Sequence, residues 1–277
     1  MPLSLREVLD LKEVATDSFR APAAVGGDRL YGGFLLGQAF VAAMRTVADD
    51  RQANSIQAVF LRAGVPDVDV TLDVERVRDG GSFSSRQVVM HQDGRELLRA
   101  LVSAHTGEDG DEWQGEVPPP VVSAEDGFPI PLGKNFAVMN AFEIRTAVEW
   151  DGRSKLHPYW IRLTEPIGDE PYLQHAALLA ISDLTVIRTA RAIEAPGFEH
   201  AAMSLDHTLW FHRTPRMTEW TYVHVYPTIN SRSRGLAQGQ IVDADGQLLA
   251  SMTQEALMRM PRTPEPSRDE AAHSIAG

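Results

Sequence analysis

The chain predicts an α+β protein in which one unit, a helix followed by an antiparallel sheet, occurs twice. Three observations point there. A short apolar helix candidate, GFLLGQAFVAAMRTV, precedes four runs rich in β-branched residues: SIQAVFLRAG, DVDVTLDVERVRD, SFSSRQVVMHQ and RELLRALVSAHT. A second helix candidate, PYLQHAALLAISDL, precedes AAMSLDHTLWFH, EWTYVHVYPTIN, GLAQGQIVDA and GQLLASMTQEALMRM in the same order. Matching landmarks keep a steady offset: Trp210 answers Phe60, and Asp245-Gly246 answers Asp93-Gly94, each about 150 residues on.

From the N-terminus onward, each segment has a physical reading. MPLSLREVLDLKEV carries acidic residues and no basic-then-apolar sequence, which argues against a secretory signal. Asp-Gly between alternating apolar runs predicts a type I′ hairpin turn at both sites, because that turn needs φ > 0 at both central residues. In DADG, Asp243 and Asp245 therefore read as turn residues; a calcium loop needs a longer series of alternating oxygens. Five prolines fall in EVPPPVVSAEDGFPIP, and proline removes a backbone donor while fixing φ. That predicts a first domain at 1–115, a linker at 116–135, a second domain at 136–265 and a disordered tail at 266–277. FEIRTAVEW and HPYWIRL read as strands ahead of the second helix. A helix wrapped by an antiparallel sheet is the hot-dog arrangement, here a double hot-dog within one chain.

Composition narrows the chemistry. Cysteine is absent, which excludes disulfides, thiolate metal sites and a cysteine nucleophile. A net charge of −12 disfavours nucleic acid as a partner. No apolar run reaches the roughly 18 residues of a membrane span, and HSIAG is not a peroxisomal tripeptide, so the cytoplasm is the default compartment. No cofactor or metal is expected.

One residue stands against its surroundings: Asp183 in LLAISDLTVI. On a continuous helix, Tyr172, Ala176, Leu179, Ala180, Asp183 and Ile187 share one stripe, while His175, Ser182 and Thr185 make up a far, polar face. An inward carboxylate must find donors, take up a proton or line a wet pocket, and each outcome alters its basicity. Alternation along AAMSLDHTLWFH puts Ser204, Asp206 and Thr208 on one face and His207 on the other. Gln254 lies inside an apolar strand, where an amide needs partners.

The chain resembles the acyl-CoA thioesterase II (TesB-type) family of double hot-dog hydrolases. The likeness is carried over almost the whole length by LYGGFLLGQAFVAA, RVRDGGSFSSRQV, LLAISDL, SLDHTLWFHR, SRSRGLAQGQIVDADGQLLAS and TQEALMR, in order. It implies hydrolysis of fatty acyl-CoA to the free acid and CoA. It also implies a water held by Asp183, Ser204 and Gln254, with Ser204 standing where the family has threonine and lacking the methyl that restrains χ1. Asp183 would serve as general base and Gln254 and Ser204 would orient the water. Gly33 N–H is a candidate oxyanion donor at the start of the first helix. Arg86 and Arg234 are candidates for CoA phosphates. The first helix has no Asp between Gly33 and Met44, so one catalytic set is expected.

No G-x-S-x-G elbow occurs, GGSFS being nearest, and His207 and His212 are five apart without zinc-site spacing. Both histidines read as strand residues, so His207→Ala is expected to retain most activity. A noncatalytic acyl-CoA or lipid-binding module on the same fold is the alternative. Sheet edges leave homo-oligomerisation open, as a dimer or tetramer.

Overall fold

The computed structural model describes residues 3–23, 29–130, 141–150, 156–191 and 202–259. The predicted tail at 266–277 lies outside them. The first half holds α1 (Leu5–Leu9), β1 (Lys12–Ala15), β2 (Ser18–Ala21), α2 (Gly32–Met44), β3 (Gln52–Phe60), β4 (Val70–Asp79), β5 (Phe83–Gln92) and β6 (Arg95–His105). The second half holds β7 (Phe128–Pro129), β8 (Phe142–Thr146), β9 (Tyr159–Leu163), α3 (Pro171–Ser182), α4 (Val186–Ala190), β10 (Ala202–Ser204), β11 (Asp206–Phe211), β12 (Thr221–Ser231), β13 (Arg234–Asp243) and β14 (Leu248–Met258).

Among the described residues these strands form one antiparallel sheet, ordered β1-β2-β4-β5-β6-β3-β11-β14-β13-β12-β9-β8-β7, with β10 also on β14. The central eight strands are a palindrome about the β3–β11 pair, β4-β5-β6-β3 mirrored by β11-β14-β13-β12, and at the pair Val59 faces Asp206 and Ser55 faces Trp210. Two hot-dog units thus share a continuous sheet that wraps α2 and α3, and their residues form one apolar core. The small strands β1 and β2, not anticipated from the sequence, extend the first unit's edge; β1 is exposed throughout, so its side chains carry no burial pattern to read.

Small residues let the two helices touch. A Cβ on Gly33 would come within 2.4 Å of the Ala180 carbonyl oxygen, and one on Gly37 within 3.2 Å of the Ala176 carbonyl oxygen. Contact with α2 on one side and the sheet on the others buries α3 all round. The supposed polar face is therefore not a solvent face: His175 and Ser182 are both buried. His175 packs against Phe40 and Phe211, with Nδ1 2.7 Å from the Pro171 carbonyl.

The hairpins divide. Asp93 and Gly94 both have φ > 0, as a type I′ turn requires, but at the second site only Gly246 does. There the Asp243 carboxylate accepts from the amides of Asp245 (3.0 Å) and Gln247 (2.8 Å), so side-chain bonding selects a longer loop. The proline-rich stretch packs on the sheet face opposite the helices: Trp160 donates to the Val122 carbonyl (2.9 Å), and Trp160, Tyr222 and Val242 cluster with Ala124 and Val117. No helix among the described residues is long and apolar enough to cross a membrane.

Candidate active site

Asp183 is the last residue held by α3, and the helix does not run on through it. Asp183 takes φ −88° and ψ −1° as the C-cap, Leu184 N–H returns to the Ile181 carbonyl (3.0 Å), and Thr185 adopts φ 60° before α4 begins. A β-branched residue in the left-handed region costs on the order of 1–3 kcal/mol. The break corrects the continuous-helix reading, and Asp183 stands at a helix end rather than mid-stripe. The C-terminal end of a helix dipole repels a carboxylate, so its compensation comes from elsewhere.

That compensation comes from the other half of the chain. The start of α2 lies against Asp183: the Gly33 backbone amide favours the charged carboxylate, and a Cβ on Gly32 would come within 2.5 Å of Oδ2. The positive end of α2 thus faces the negative end of α3, with the carboxylate between. Gly33, expected to offer its N–H to an oxyanion, stands beside the Asp183 carboxylate.

Strands β10 and β14 supply two more donors. Gln254 Nε2 donates to Asp183 Oδ1 at 2.8 Å and to Ser204 Oγ at 2.7 Å, and Ser204 Oγ donates to the same Oδ1 at 3.3 Å. The structure therefore brings Asp183, Ser204, Gln254 and Gly33 into one cluster. Burial dominates the carboxyl's acidity and pushes its pKa up to about 6, against the lowering by Gln254, Ser204 and Gly33. Asp183 is 8% exposed and Gln254 fully buried.

Simple alternation failed for the strand that carries Ser204. β10 pairs Ser204 with Ala256, whereas β11 pairs Thr208 with Thr253, so the register slips by one residue at Leu205. This bulge places Ser204 and His207, three apart, on the same side. Asp206 Oδ1 accepts the Glu255 N–H (2.8 Å) and so holds the bulge. His207 is fully buried, with Nδ1 2.7 Å from Gln254 Oε1 and Nε2 2.9 Å from Ser182 Oγ. Alternation and helical phasing turn His207 and Ser182 away from the site; the structure puts His207 against Gln254, which removes the ground for expecting His207→Ala to retain most activity.

The arginines lie apart from this cluster. Arg86 is 1% exposed, its guanidinium bonded to Thr46 Oγ1 and O, Asp79 Oδ1, and the Arg78 and Ser85 carbonyls. It ties the end of α2 to the β4–β5 hairpin and has no face toward a ligand, which corrects the expectation that it meets phosphate. Arg234 is half exposed, paired to Glu255 at 2.7 Å. It faces Leu257, one residue along β14 from the partner of Ser204. Tyr31 donates to the Ala180 carbonyl (2.9 Å), and burial together with the Asp183 charge raises the pKa of Tyr31 and Tyr159, leaving both hydroxyls neutral. Among the described residues the buried Tyr159 hydroxyl has no hydrogen-bond partner.

Comparison with known proteins agrees with this architecture. The model of the acyl-CoA thioesterase N-terminal domain matches residues 19–105, and that of the acyl-CoA thioesterase C-terminal domain matches residues 114–258. The chain is 31% identical to acyl-CoA thioesterase 2 of Haemophilus influenzae, over 92% of this chain and 97% of that protein. It is 29% identical to human acyl-coenzyme A thioesterase 8, over 91% and 88%. The crystal structure of the acyl-CoA thioesterase II TesB2 from Mycobacterium marinum superposes with a TM-score of 0.78 at 30% identity, covering 95% of this chain and 99% of that one. A hot-dog protein from Alicyclobacillus acidocaldarius, 21% identical over 93% of this chain and 98% of that one, shares the fold with a TM-score of 0.79. The chain belongs to the acyl-CoA thioesterase family, of TesB type and double hot-dog fold.

Proposed function

We propose that this acyl-CoA thioesterase hydrolyses fatty acyl-CoA by direct attack of a water that Asp183 deprotonates and that Gln254 and Ser204 hold. The observation that carries the reading is the buried Asp183 carboxylate, met at one oxygen by both the Gln254 amide and the Ser204 hydroxyl. Asp183 takes a proton from water, and the resulting hydroxide oxygen bonds to the thioester carbonyl carbon. The tetrahedral intermediate then collapses, the C–S bond breaks, and the CoA thiolate leaves to be protonated. A base with a pKa near working pH both exists ionised and accepts a proton well, and burial supplies that tuning. Gly33 supports the carboxylate, and Arg234, half exposed and one residue along from the strand partner of Ser204, is kept as the contact for CoA phosphate.

We read the domain limits as 1–115 and 136–265 with the linker between, the working compartment as the cytoplasm, and any assembly as a dimer or tetramer through sheet edges. Purified protein given acyl-CoAs of several chain lengths is expected to release free thiol in a thiol-detection assay. Acyl-CoA that raises the melting temperature with no thiol released at any length would instead mark a noncatalytic lipid-binding module.

A further inference from the structure

We propose that His207 is a positioning residue: it fixes which way round the Gln254 amide stands. The proposal rests on the hydrolytic reading and adds one residue to it. The side chains of Ser182, His207 and Gln254 are all fully buried, so water does not compete for their hydrogen bonds. They form a line from α3 to the site: Ser182 Oγ to His207 Nε2 at 2.9 Å, His207 Nδ1 to Gln254 Oε1 at 2.7 Å, and Gln254 Nε2 to Asp183 Oδ1 at 2.8 Å.

A primary amide turned by 180° has nearly the same shape, so packing alone does not choose its orientation. Two self-consistent arrangements exist. In one, the NH2 group faces Asp183 and Ser204, Oε1 accepts from His207 Nδ1–H, and Ser182 donates its hydroxyl proton to Nε2. In the other, Oε1 faces the Asp183 carboxylate, the amide NH2 faces a bare Nδ1, and Nε2–H points at Ser182, which donates to the Leu179 carbonyl, 2.9 Å away. The second sets a carbonyl oxygen against an ionised carboxylate and removes a donor from the base. Hence His207 must carry its proton on Nδ1 for Gln254 to serve. Its burial pushes the imidazole pKa down to about 4, so the ring holds a single proton at neutral pH and its tautomer matters.

A double-mutant cycle tests this on the full chain. His207→Phe is expected to lower kcat about tenfold to a hundredfold with KM for acyl-CoA changed less than about twofold, the scale of a misplaced catalytic group. His207→Asn, whose amide N–H can stand where Nδ1–H stood, is expected to recover most of that loss. In a Gln254→Ala background, already slow, His207→Phe should cost less than about a further twofold, because its effect runs through the missing amide. Full multiplication of the two losses would overturn the proposal, as would an unchanged kcat in His207→Phe. If Gln254→Ala alone left kcat intact, the role of Gln254 itself would fall, a result separable from the other two. Should His207→Phe fail to fold, two-bond nitrogen–proton spectra of the wild-type protein decide: the Nδ1–H tautomer at His207 is expected, and Nε2–H would overturn the proposal.

Discussion

Asp183→Asn is expected to lower kcat about a thousandfold, within the range that a positioned general base contributes, while the protein stays folded. Asparagine keeps the shape and an oxygen to accept from Gln254 and Ser204, but it cannot take a proton from water. Stability separates this from a packing defect. The folded pKa of Asp183 is raised above its unfolded value, so the folded chain holds a proton there between the ordinary aspartate range and about pH 6. That favourable contribution is complete at low pH and is lost as pH rises through about 6. At neutral pH the ionised carboxylate weighs against folding, and the asparagine variant should melt at the same temperature or higher. A variant that loses activity and melts much lower would assign Asp183 to architecture.

Gly33→Ala is expected to destabilise the fold by about 2–3 kcal/mol, the upper range for overpacking. The added methyl would lie 2.4 Å from the Ala180 carbonyl oxygen and 2.7 Å from the Tyr31 ring. The first neighbour is backbone, so relief requires the two helices to part. Parting them also draws Gly33 N–H away from Asp183, and activity should fall with stability. Urea denaturation with parallel kinetics measures both. An unchanged midpoint would show that α2 and α3 are not in the contact described.

The repeat was legible because each half spells out helix and strands in the same order, and the palindromic sheet follows from pairing β3 with β11. Asp183, Ser204 and Gln254 were named from their family motifs, and the structure places them within hydrogen-bonding distance. The local geometry was not legible. Helical phasing assumed that SDLT continues a helix, whereas Thr185 at φ 60° breaks it. Strand alternation assumed no bulge, yet one extra residue at Leu205 turns His207 to the side of Ser204. Both departures are single-residue events whose signals, a polar residue at a helix end and an Asp whose side chain can cap a strand amide, are common elsewhere. Arg86 shows the opposite error: a guanidinium suited to phosphate is equally suited to five internal acceptors.

The most direct measurement of the central claim is the pH dependence of kcat/KM with an acyl-pantetheine thioester, which lacks ionising phosphates. If Asp183 is the base, kcat/KM in the wild-type protein rises about tenfold per pH unit below about 6 and levels off above it. The residual activity of Asp183→Asn should lack that limb. A profile flat from about pH 5 to about pH 8, or the same limb persisting in Asp183→Asn, would contradict the assignment of Asp183 as the group that activates water.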